Sequence, residues 1–326
     1  MNPVKQSDPI VYFRHEFVPL SQAQVPLLTH ALHYGTGVFE GIRGYWSDED
    51  QEMYLFRARD HYDRWRLNSR LLRMDIPLTS GELTDITMQL IRRNGFHGDV
   101  YVRPLAYKSK EGIGVHFTSE MEIAIAVIPF GVYMDSSQGL RCMVSSWRRI
   151  DDNAIPARGK ICGAYVNSGL ASDEARAAGF DEAIFLTTEG HVCEGAASNI
   201  FLVRQGKLVT PPVTDNILEG ITRHTVIDLA RDFWVETIER PVDRSELYVA
   251  DEVFLAGTAF EVAPVVEIDH RAVGPGKIGP FTKKLQEMYH AVTRGNTTRR
   301  SNWRTPVYLP ESANTVTASR AAAAQT

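Results

Sequence analysis

Residues 183–210 read AIFLTTEGHVCEGAASNIFLVRQGKLVT. Three apolar runs, 183–188, 199–203 and 207–210, lie close together in this stretch. The pairs Glu189-Gly190 and Gln205-Gly206 suit tight turns, because glycine reaches the positive φ that two-residue hairpin loops require. The stretch therefore predicts hairpin strands rather than a repeated strand–helix–strand unit. Working outward, 165–178 and 222–233 read as helices, the second with Val226, Leu229, Ala230 and Phe233 on one face. Further strands are predicted at 141–147 and 252–255, and a last helix at 280–293. Strands and helices mix without a clean βαβ alternation. The fold class predicted is α+β, not a doubly wound sheet.

The N-terminal half has the same mixture. Residues 10–18 and 53–56 read as strands, as do 100–107 and 121–128. Residues 60–74 read as a helix on which Arg64, Leu67 and Leu71 share a face, which predicts an inward Arg64. Residues 80–94 form a second helix, capped by Thr79 or Ser80 and ended by Gly95. At 326 residues the chain exceeds one typical core, so two domains are expected. The turn-rich segment PFGVYMDSSQGL marks the break. The expectation is a small domain over 1–128, a linker over 129–140 and a large domain over 141–310. The end, 311–326, is small and polar and is expected to be disordered.

Composition narrows the function. Hydrophobic residues make up 44 % and charged residues 23 %, with a net charge of −5, which is ordinary for a globular protein and wrong for a polyanion binder. No nucleic-acid partner is expected. The three cysteines, Cys142, Cys162 and Cys193, are spaced neither as a zinc site nor as a disulfide framework, which points to a reducing compartment. His30 and His33 are three apart but lack a third ligand, so no metal is expected. The N-terminus has no apolar signal-peptide core, and no run approaches the ~18 apolar residues of a membrane helix. The expected location is the cytoplasm, where the Asn296-Thr297-Thr298 sequon carries no meaning.

Several residues could carry chemistry. Lys160 lies among small residues in Ala157-Arg158-Gly159-Lys160-Ile161-Cys162-Gly163-Ala164-Tyr165, just before a helix. A lysine that attacks a carbonyl needs partial desolvation and room beside it. Taken alone, the pattern fits a surface-loop lysine more readily. It is no phosphate loop of the nucleotide-binding kind, for want of the glycine spacing and the Ser/Thr. Glu194, on a hairpin strand, could face a pyridine nitrogen and keep it protonated, or be a plain turn glutamate. Gly220-Ile221-Thr222-Arg223 opens a helix, a setting for phosphate or for an ordinary cap. Gly257-Thr258-Ala259 pairs a glycine with a hydroxyl after a strand. An inward Arg64 wants an anion, either phosphate or a structural carboxylate. Tyr101 and Arg103, two apart on a strand, share a face and could grip a carboxylate. The run His33–Gly41 has glycines at the wrong spacing for a dinucleotide loop.

Individually modest, these signals occur in a telling order. HALHYGTGVFEGIR (30–43), HYDRW (61–65), YVRPL (101–105), GIGV (112–115), VSSWRR (144–149), the Lys160–Tyr165 segment, CEGAASNIF (193–201), LEGITR (218–223) and LYVADEVFLAGTAFEVAPV (247–265) together resemble the fold-type IV pyridoxal-phosphate aminotransferases. The chain is most similar to their bacterial branched-chain members, from about residue 10 to about 295. The resemblance implies the two-domain fold of D-amino-acid aminotransferase-like enzymes and pyridoxal 5'-phosphate (PLP) as cofactor. It implies that Lys160 is the Schiff-base lysine and proton carrier, that Glu194 meets the pyridine nitrogen and that Tyr165 meets the phenolic oxygen. Arg64, Ile221, Thr222 and Thr258 would hold the phosphate. Tyr101 and the backbone at Thr258 and Ala259 would take the substrate α-carboxylate, and Arg103 the distal carboxylate of glutamate. Tyr34, Phe39, Gly41, Arg43, Val115, Phe130 and Tyr133 would line the side-chain pocket. Tyr34 and Val115 would come from a neighbouring subunit of a homodimer or a higher oligomer such as a hexamer. The implied reaction passes the amino group of L-Leu, L-Ile or L-Val to 2-oxoglutarate in ping-pong fashion. Two positions depart from the family's usual pattern: Phe130 stands where tryptophan is frequent, and Trp65 follows the phosphate arginine in place of leucine. Phe130 leaves open a D-amino-acid or (R)-amine transaminase activity on the same fold.

Overall fold

The computed structural model describes residues 8–308. The chain divides into two units. One holds the residues up to Gly131 together with those from Thr293 on; the other is Val132–Val292.

The first unit is built on a sheet of eight described strands. Its opening strands are β1 (Ile10–Phe13) and β2 (Glu16–Pro19), antiparallel with Phe13 opposite Glu16. Arg14 and His15 both turn with positive φ between them. The single strand expected over 10–18 is thus a hairpin. Arg-His lacks the Asn-Gly type of signal that betrays such a turn. A short helix α1 (His30–Tyr34) leads into β3 (Gly37–Phe39), β4 (Ile42–Ser47) and β5 (Glu52–Phe56). β3 and β4 are buried on both faces. Helix α2 (Ala58–Ser69) packs on α3 (Ser80–Asn94). Thr79 and Glu82 form a reciprocal capping box, and Gly95 ends α3 in the left-handed conformation, the favoured start and stop signals. Strands β6 (Val100–Lys108) and β7 (Met121–Pro129) pair along their full length.

On α2 the buried stripe is His61, Tyr62, Trp65 and Ser69. Leu67 and Leu71 are exposed, at 63 % and 41 %, so the expected apolar face was misread. Trp65 decides the facing: it is fully buried and donates its indole N–H to Val38 O at 2.9 Å. Arg64 nevertheless points inward, its side chain only 11 % exposed.

Residues beyond 292 return to this unit. The strand Arg304–Pro306 pairs with β5, and the buried Glu52 carboxylate accepts the N–H groups of Val307 and Tyr308. The expected extent of the large domain, 141–310, therefore runs too far. The break itself falls at Gly131, within the segment read as linker. The tail 311–326, expected to be disordered, lies outside the described residues.

The second unit carries a mixed sheet of nine described strands. β8 (Leu140–Arg148) is followed by α4 (Tyr165–Ala177) and β9 (Glu182–Leu186), a parallel pair with α4 packed on both strands. β10 (Val192–Gly195), β11 (Asn199–Arg204) and β12 (Lys207–Thr210) continue as antiparallel neighbours. Gln205 and Gly206, both at positive φ, make the tight turn between Arg204 and Lys207. Helix α5 (Ile221–Arg231) and β13 (Thr237–Glu239) precede β14 (Glu252–Gly257), β15 (Glu261–Ile268) and α6 (Pro280–Thr293). On α5, Val226, Leu229 and Ala230 are buried; Phe233 lies past the helix end and is exposed. The core centres on β11 and β14, where Phe201 and Phe254 stack at 5.1 Å. Helices occur with an antiparallel sheet in the first unit and a mixed sheet in the second, as an α+β fold requires.

Candidate active site

In the second unit, Lys160 sits in the connection from β8 to α4. A turn of 3-10 helix over Ala157–Gly159 ends on Lys160 with φ +48°. A side-chain-bearing residue in the left-handed region carries a small conformational cost, which the surrounding structure must offset. Lys160 is half-buried, and its Nζ lies 2.9 Å from the hydroxyl of Tyr165, the first residue of α4. Amine and phenol are therefore presented together.

Glu194 lies on β10 and is 4 % exposed. Its Oε1 pairs with Arg149 Nη2 at 2.8 Å. Its Oε2 accepts Asn199 Nδ2 at 3.1 Å and the backbone N–H of Leu218 at 3.0 Å. Burial pushes the Glu194 carboxyl up from its ordinary range, opposed by the Arg149 guanidinium, the Leu218 N–H and the Lys160 charge.

Asn199 ties Glu194 to the start of α5. It also donates to Leu218 O at 2.9 Å. The helix N-cap is Gly220, which makes no side-chain cap, so the first-turn N–H groups depend on partners from outside the helix. A Cβ at Gly220 would overlap the Asn199 amide. Ile221 and Thr222 follow it, both buried. Thr258 and Ala259 stand in the hairpin tip between β14 and β15, where Gly257 opposes Glu261. A Cβ on Gly257 would crowd Ala197 and Ser198, the residues that follow Glu194 on the turn into β11. The tip therefore lies against the Glu194 turn. Tyr133, 51 % exposed, meets Phe260 edge-on at 5.3 Å.

The first unit gathers the other expected residues. Arg64 binds Glu40 through Nε at 2.7 Å and Nη2 at 2.9 Å, and His61 Nδ1 lies 2.8 Å from the same carboxylate. Burial alone would raise the Glu40 carboxyl; the charge of Arg64 and the hydrogen bond of His61 outweigh it and hold it well below the usual range. Tyr101 and Arg103 share a face as expected. Arg103 Nη2 is 3.2 Å from the Tyr101 hydroxyl, and its guanidinium lies over the Phe39 ring at 4.6 Å. Gly41 is where it is because a Cβ there would overlap that hydroxyl. Arg43, buried, reaches Asp99 at 3.4 Å and lies over Phe130 at 5.1 Å. Phe130 in turn packs on Tyr101 at 4.8 Å. Tyr34 Oη accepts Gly114 N–H at 3.0 Å, next to Val115, which is 67 % exposed.

Arg149, Asn199, Glu40, His61 and Asp99 also belong to these clusters, although their residue types and local spacing carry no signal of it. Arg149 and Asn199 stood inside quoted motifs, VSSWRR and CEGAASNIF. Only spatial neighbours 45 and 5 positions away from each, Glu194 in both cases, reveal their part. The two histidines once weighed as ligands are otherwise engaged: His30 Nδ1 with Thr36 Oγ1 and His33 Nε2 with Leu27 O.

Residues 37–268 match the sequence profile of the family described as Amino-transferase class IV. A protein of Aquifex aeolicus (strain VF5) named "Probable branched-chain-amino-acid aminotransferase" is 49 % identical over 299 residues, 91 % of this chain and 96 % of its own. A crystal structure of branched-chain aminotransferase from the thermophilic archaeon Thermoproteus uzoniensis with norvaline is 44 % identical, with a TM-score of 0.88 over 92 % of this chain and 99 % of that one. The structure of branched-chain amino acid aminotransferase from Thermobaculum terrenum in its PLP form is 42 % identical, with a TM-score of 0.88 over 93 % and 100 % of the two chains.

Proposed function

The chain belongs to the class IV aminotransferase family, and from that premise we propose that it passes the amino group of L-leucine, L-isoleucine or L-valine to 2-oxoglutarate, with PLP as its cofactor. The observation that carries the reading is the Lys160–Tyr165 contact of 2.9 Å in the same unit as the buried Glu194. The names of the relatives support the branched-chain substrate class.

The residues fit the cofactor. It needs an amine for its aldehyde, an anion for its ring nitrogen and N–H donors for its phosphate. The second unit presents Lys160, Glu194 and the glycine-capped start of α5 with Ile221 and Thr222. When bound, the cofactor supplies an electron sink for the charge left at the substrate Cα and stores the amino group between two half-reactions.

The chain's own residues do the rest. Lys160 Nζ takes the proton from the substrate Cα as general base and later returns it. Tyr165 holds that amine in place and turns its hydroxyl to the cofactor's phenolic oxygen. Glu194 keeps the ring nitrogen protonated. Ile221, Thr222 and Thr258 would hold the phosphate in the second unit; in the first unit Arg64, already oriented by Glu40, is the candidate anion ligand. For the α-carboxylate the first unit offers Tyr101, and the second unit offers the backbone at Thr258 and Ala259. Arg103 rests on Phe39 and receives the distal carboxylate of glutamate. For the side-chain pocket the first unit offers Phe39, Gly41, Arg43 and Phe130, and the second unit offers Tyr133. One pocket must take an aliphatic chain and a carboxylate in turn, and an apolar wall with a guanidinium at its edge does both.

The active form proposed is a homodimer, or a higher homo-oligomer such as a hexamer, in the cytoplasm. Tyr34 and the loop that carries Val115 are joined by the Gly114 hydrogen bond. They project together with Ile113 (78 % exposed) and Leu27 (79 %). A partner subunit would cover these apolar groups and receive Tyr34 and Val115 at its pocket.

The test is the visible spectrum of the purified PLP-bound protein, before and after L-leucine is added without an oxo acid. Conversion of the PLP band to the pyridoxamine phosphate band supports the reading. A PLP band that L-leucine leaves unchanged sinks the substrate class. Packing of Phe130, rather than tryptophan, on Tyr101 favours a second activity toward D-alanine or (R)-1-phenylethylamine. A rate on either that equals the rate on L-leucine would reverse the ranking.

A further inference from the structure

One buried cation of the second unit has no part in the chemistry above. Arg149 is 7 % exposed and holds Glu194 at 2.8 Å. We propose that Arg149 is a positioning residue that keeps the Glu194 carboxylate ionised throughout turnover and so keeps the shared proton on the cofactor's ring nitrogen. The inference rests on the assignment of Glu194 to that nitrogen.

The geometry fixes Arg149 on every side. Nε donates to Asn216 O at 3.3 Å, Nη1 reaches Ser168 Oγ at 3.5 Å, and the guanidinium lies over the Phe185 ring at 5.6 Å. Ser168 is on α4, one turn beyond Tyr165. The arginine thus joins the carboxylate that would face the ring nitrogen to the helix that begins with the phenol.

The chemistry then points one way. The three groups bonded to Glu194, from Arg149, Asn199 and Leu218, are all donors. A carboxylate surrounded by donors is stabilised as the anion. Three cations act on it: Arg149, Lys160 and Arg223. Lys160 changes its charge and bonding as it works, so its help varies through the cycle. Arg223 is matched elsewhere, by Glu239 at 2.6 Å. Arg149 keeps its charge at every working pH. It is the constant counter-charge of the site.

Without that charge the buried carboxylate binds a proton more tightly. With the cofactor bound, the proton would pass from the ring nitrogen to Glu194, an O–H bond forming there as the ring N–H bond broke; the ring would lose its positive charge and with it much of its pull on the substrate Cα.

The experiment uses holoenzyme reconstituted with PLP labelled with 15N in the ring. The ring-nitrogen chemical shift, which separates pyridinium from neutral pyridine, is read for wild type, Arg149→Met, Arg149→Lys and Glu194→Gln. Wild type and Arg149→Lys are expected to give the pyridinium shift. Arg149→Met is expected to move toward neutral pyridine at neutral pH, with kcat for L-leucine reduced by about tenfold or more and KM little changed. A pyridinium shift in Arg149→Met overturns the proposal. So does an Arg149→Lys protein whose shift is as neutral as that of Arg149→Met, since the arginine would then act through its fork and not its charge. Should Arg149→Met not hold the cofactor, Arg149→Lys decides: it has lost the fork to Asn216 and Ser168 but kept the charge, so a retained pyridinium shift supports the proposal and a lost one ends it. A pyridinium shift in Glu194→Gln would show that Glu194 does not govern the ring nitrogen, a failure of the underlying assignment that the other variants do not mimic.

Discussion

Arg64 grips Glu40 through two parallel hydrogen bonds, Nε to Oε1 at 2.7 Å and Nη2 to Oε2 at 2.9 Å, and Glu40 is wholly buried. The bidentate fork fixes the plane of the guanidinium before any ligand arrives. Glu40→Gln is therefore expected to do two things. It should cost about 3–5 kcal/mol of stability, as breaking one half of a buried pair does. It should also weaken PLP binding while leaving binding of pyridoxal, which has no phosphate, nearly unchanged relative to its own wild-type value. Equal losses for both ligands would mean that Arg64 does not serve the phosphate. The pH sign follows from the depressed Glu40 pKa. The stability it contributes is complete above the ordinary glutamate value of about 4.3 and is lost as pH falls below it. In acid denaturation, Glu40→Gln should remove part of that loss.

Two glycines are tied to the proposed ligand sites by close approach. At Gly41 a Cβ would overlap the Tyr101 hydroxyl, and at Gly220 the Asn199 amide. Gly220 has φ −67°, so alanine is excluded by space and not by backbone conformation. Gly220→Ala should lose about 1–3 kcal/mol of stability and weaken PLP binding, because the crowded Asn199 also holds Glu194. Gly41→Ala should raise KM for L-leucine with PLP affinity unchanged, and Tyr101→Ala in the same chain should restore folding stability but not KM. Equilibrium PLP titration and steady-state kinetics separate the two outcomes. If Gly41→Ala lowered PLP affinity as much as Gly220→Ala, the division of roles would be wrong.

The difference between these positions also explains what the sequence could disclose. Lys160, Glu194 and the α5 start sit in local motifs whose residue types match their chemistry, so each could be singled out. The antiparallel turn at Gln205-Gly206 and the start and stop of α3 are legible for the same reason, since their signals are local, although the part of Glu82 in the cap was not read. Leu67 and Leu71 misled because their helical spacing is real, yet the larger Tyr62 and Trp65 occupied the core side of α2. β3 escaped because it is only three residues long, β4 because Arg43 and Gly44 interrupt its apolar run, and β15 because Pro264 argues against a strand. Arg149 and Asp99 were out of reach, since their partners are long-range: Glu194 lies 45 positions from Arg149, and Arg43 lies 56 from Asp99. The return of the chain to the first unit through Arg304–Pro306 depends on pairing with a strand some 250 residues earlier.

Lys160→Ala is expected to abolish transamination while leaving the fold intact, because the residue is half-buried in a connection and not in the core. Added methylamine should restore a small rate if the missing function is the amine base. Tyr165→Phe removes the hydroxyl 2.9 Å from Lys160 Nζ. A hydrogen bond to a charged group is worth about 1.5–3 kcal/mol, which corresponds to a fall of about 10- to 100-fold in kcat. The same change should raise the pH at which the PLP band titrates. A Tyr165→Phe enzyme with wild-type kcat and an unshifted band would remove Tyr165 from the site.

Glu182 gives the last prediction, and its sign opposes that of Glu40. It opens β9, is 4 % exposed, and bonds the N–H of Ala183 at 2.8 Å. Burial raises its carboxyl to about 6, only partly offset by the N–H groups of Ala183 and Ala196 and by the Arg176 charge. A folded-state value above the unfolded one means that the protonated form favours the native state. Its contribution is therefore complete below about 4.3 and is lost as pH rises through about 6. Above that pH the buried anion is a liability. Glu182→Gln keeps the shape and removes the charge, so it should raise stability at pH 8 relative to pH 4.5, by about 1–2 kcal/mol. The check is a series of urea denaturation curves of the PLP-bound protein between pH 4.5 and 8, wild type against variant. Parallel curves, with a constant difference across the range, would show that Glu182 does not titrate there. Ala196 lies two residues past Glu194, so the same series followed by the PLP band would show whether protonation of Glu182 is felt at the ring nitrogen: a band that shifts near pH 6 in wild type but not in Glu182→Gln means that it is, and identical bands mean that the β10–β11 turn insulates the two carboxylates.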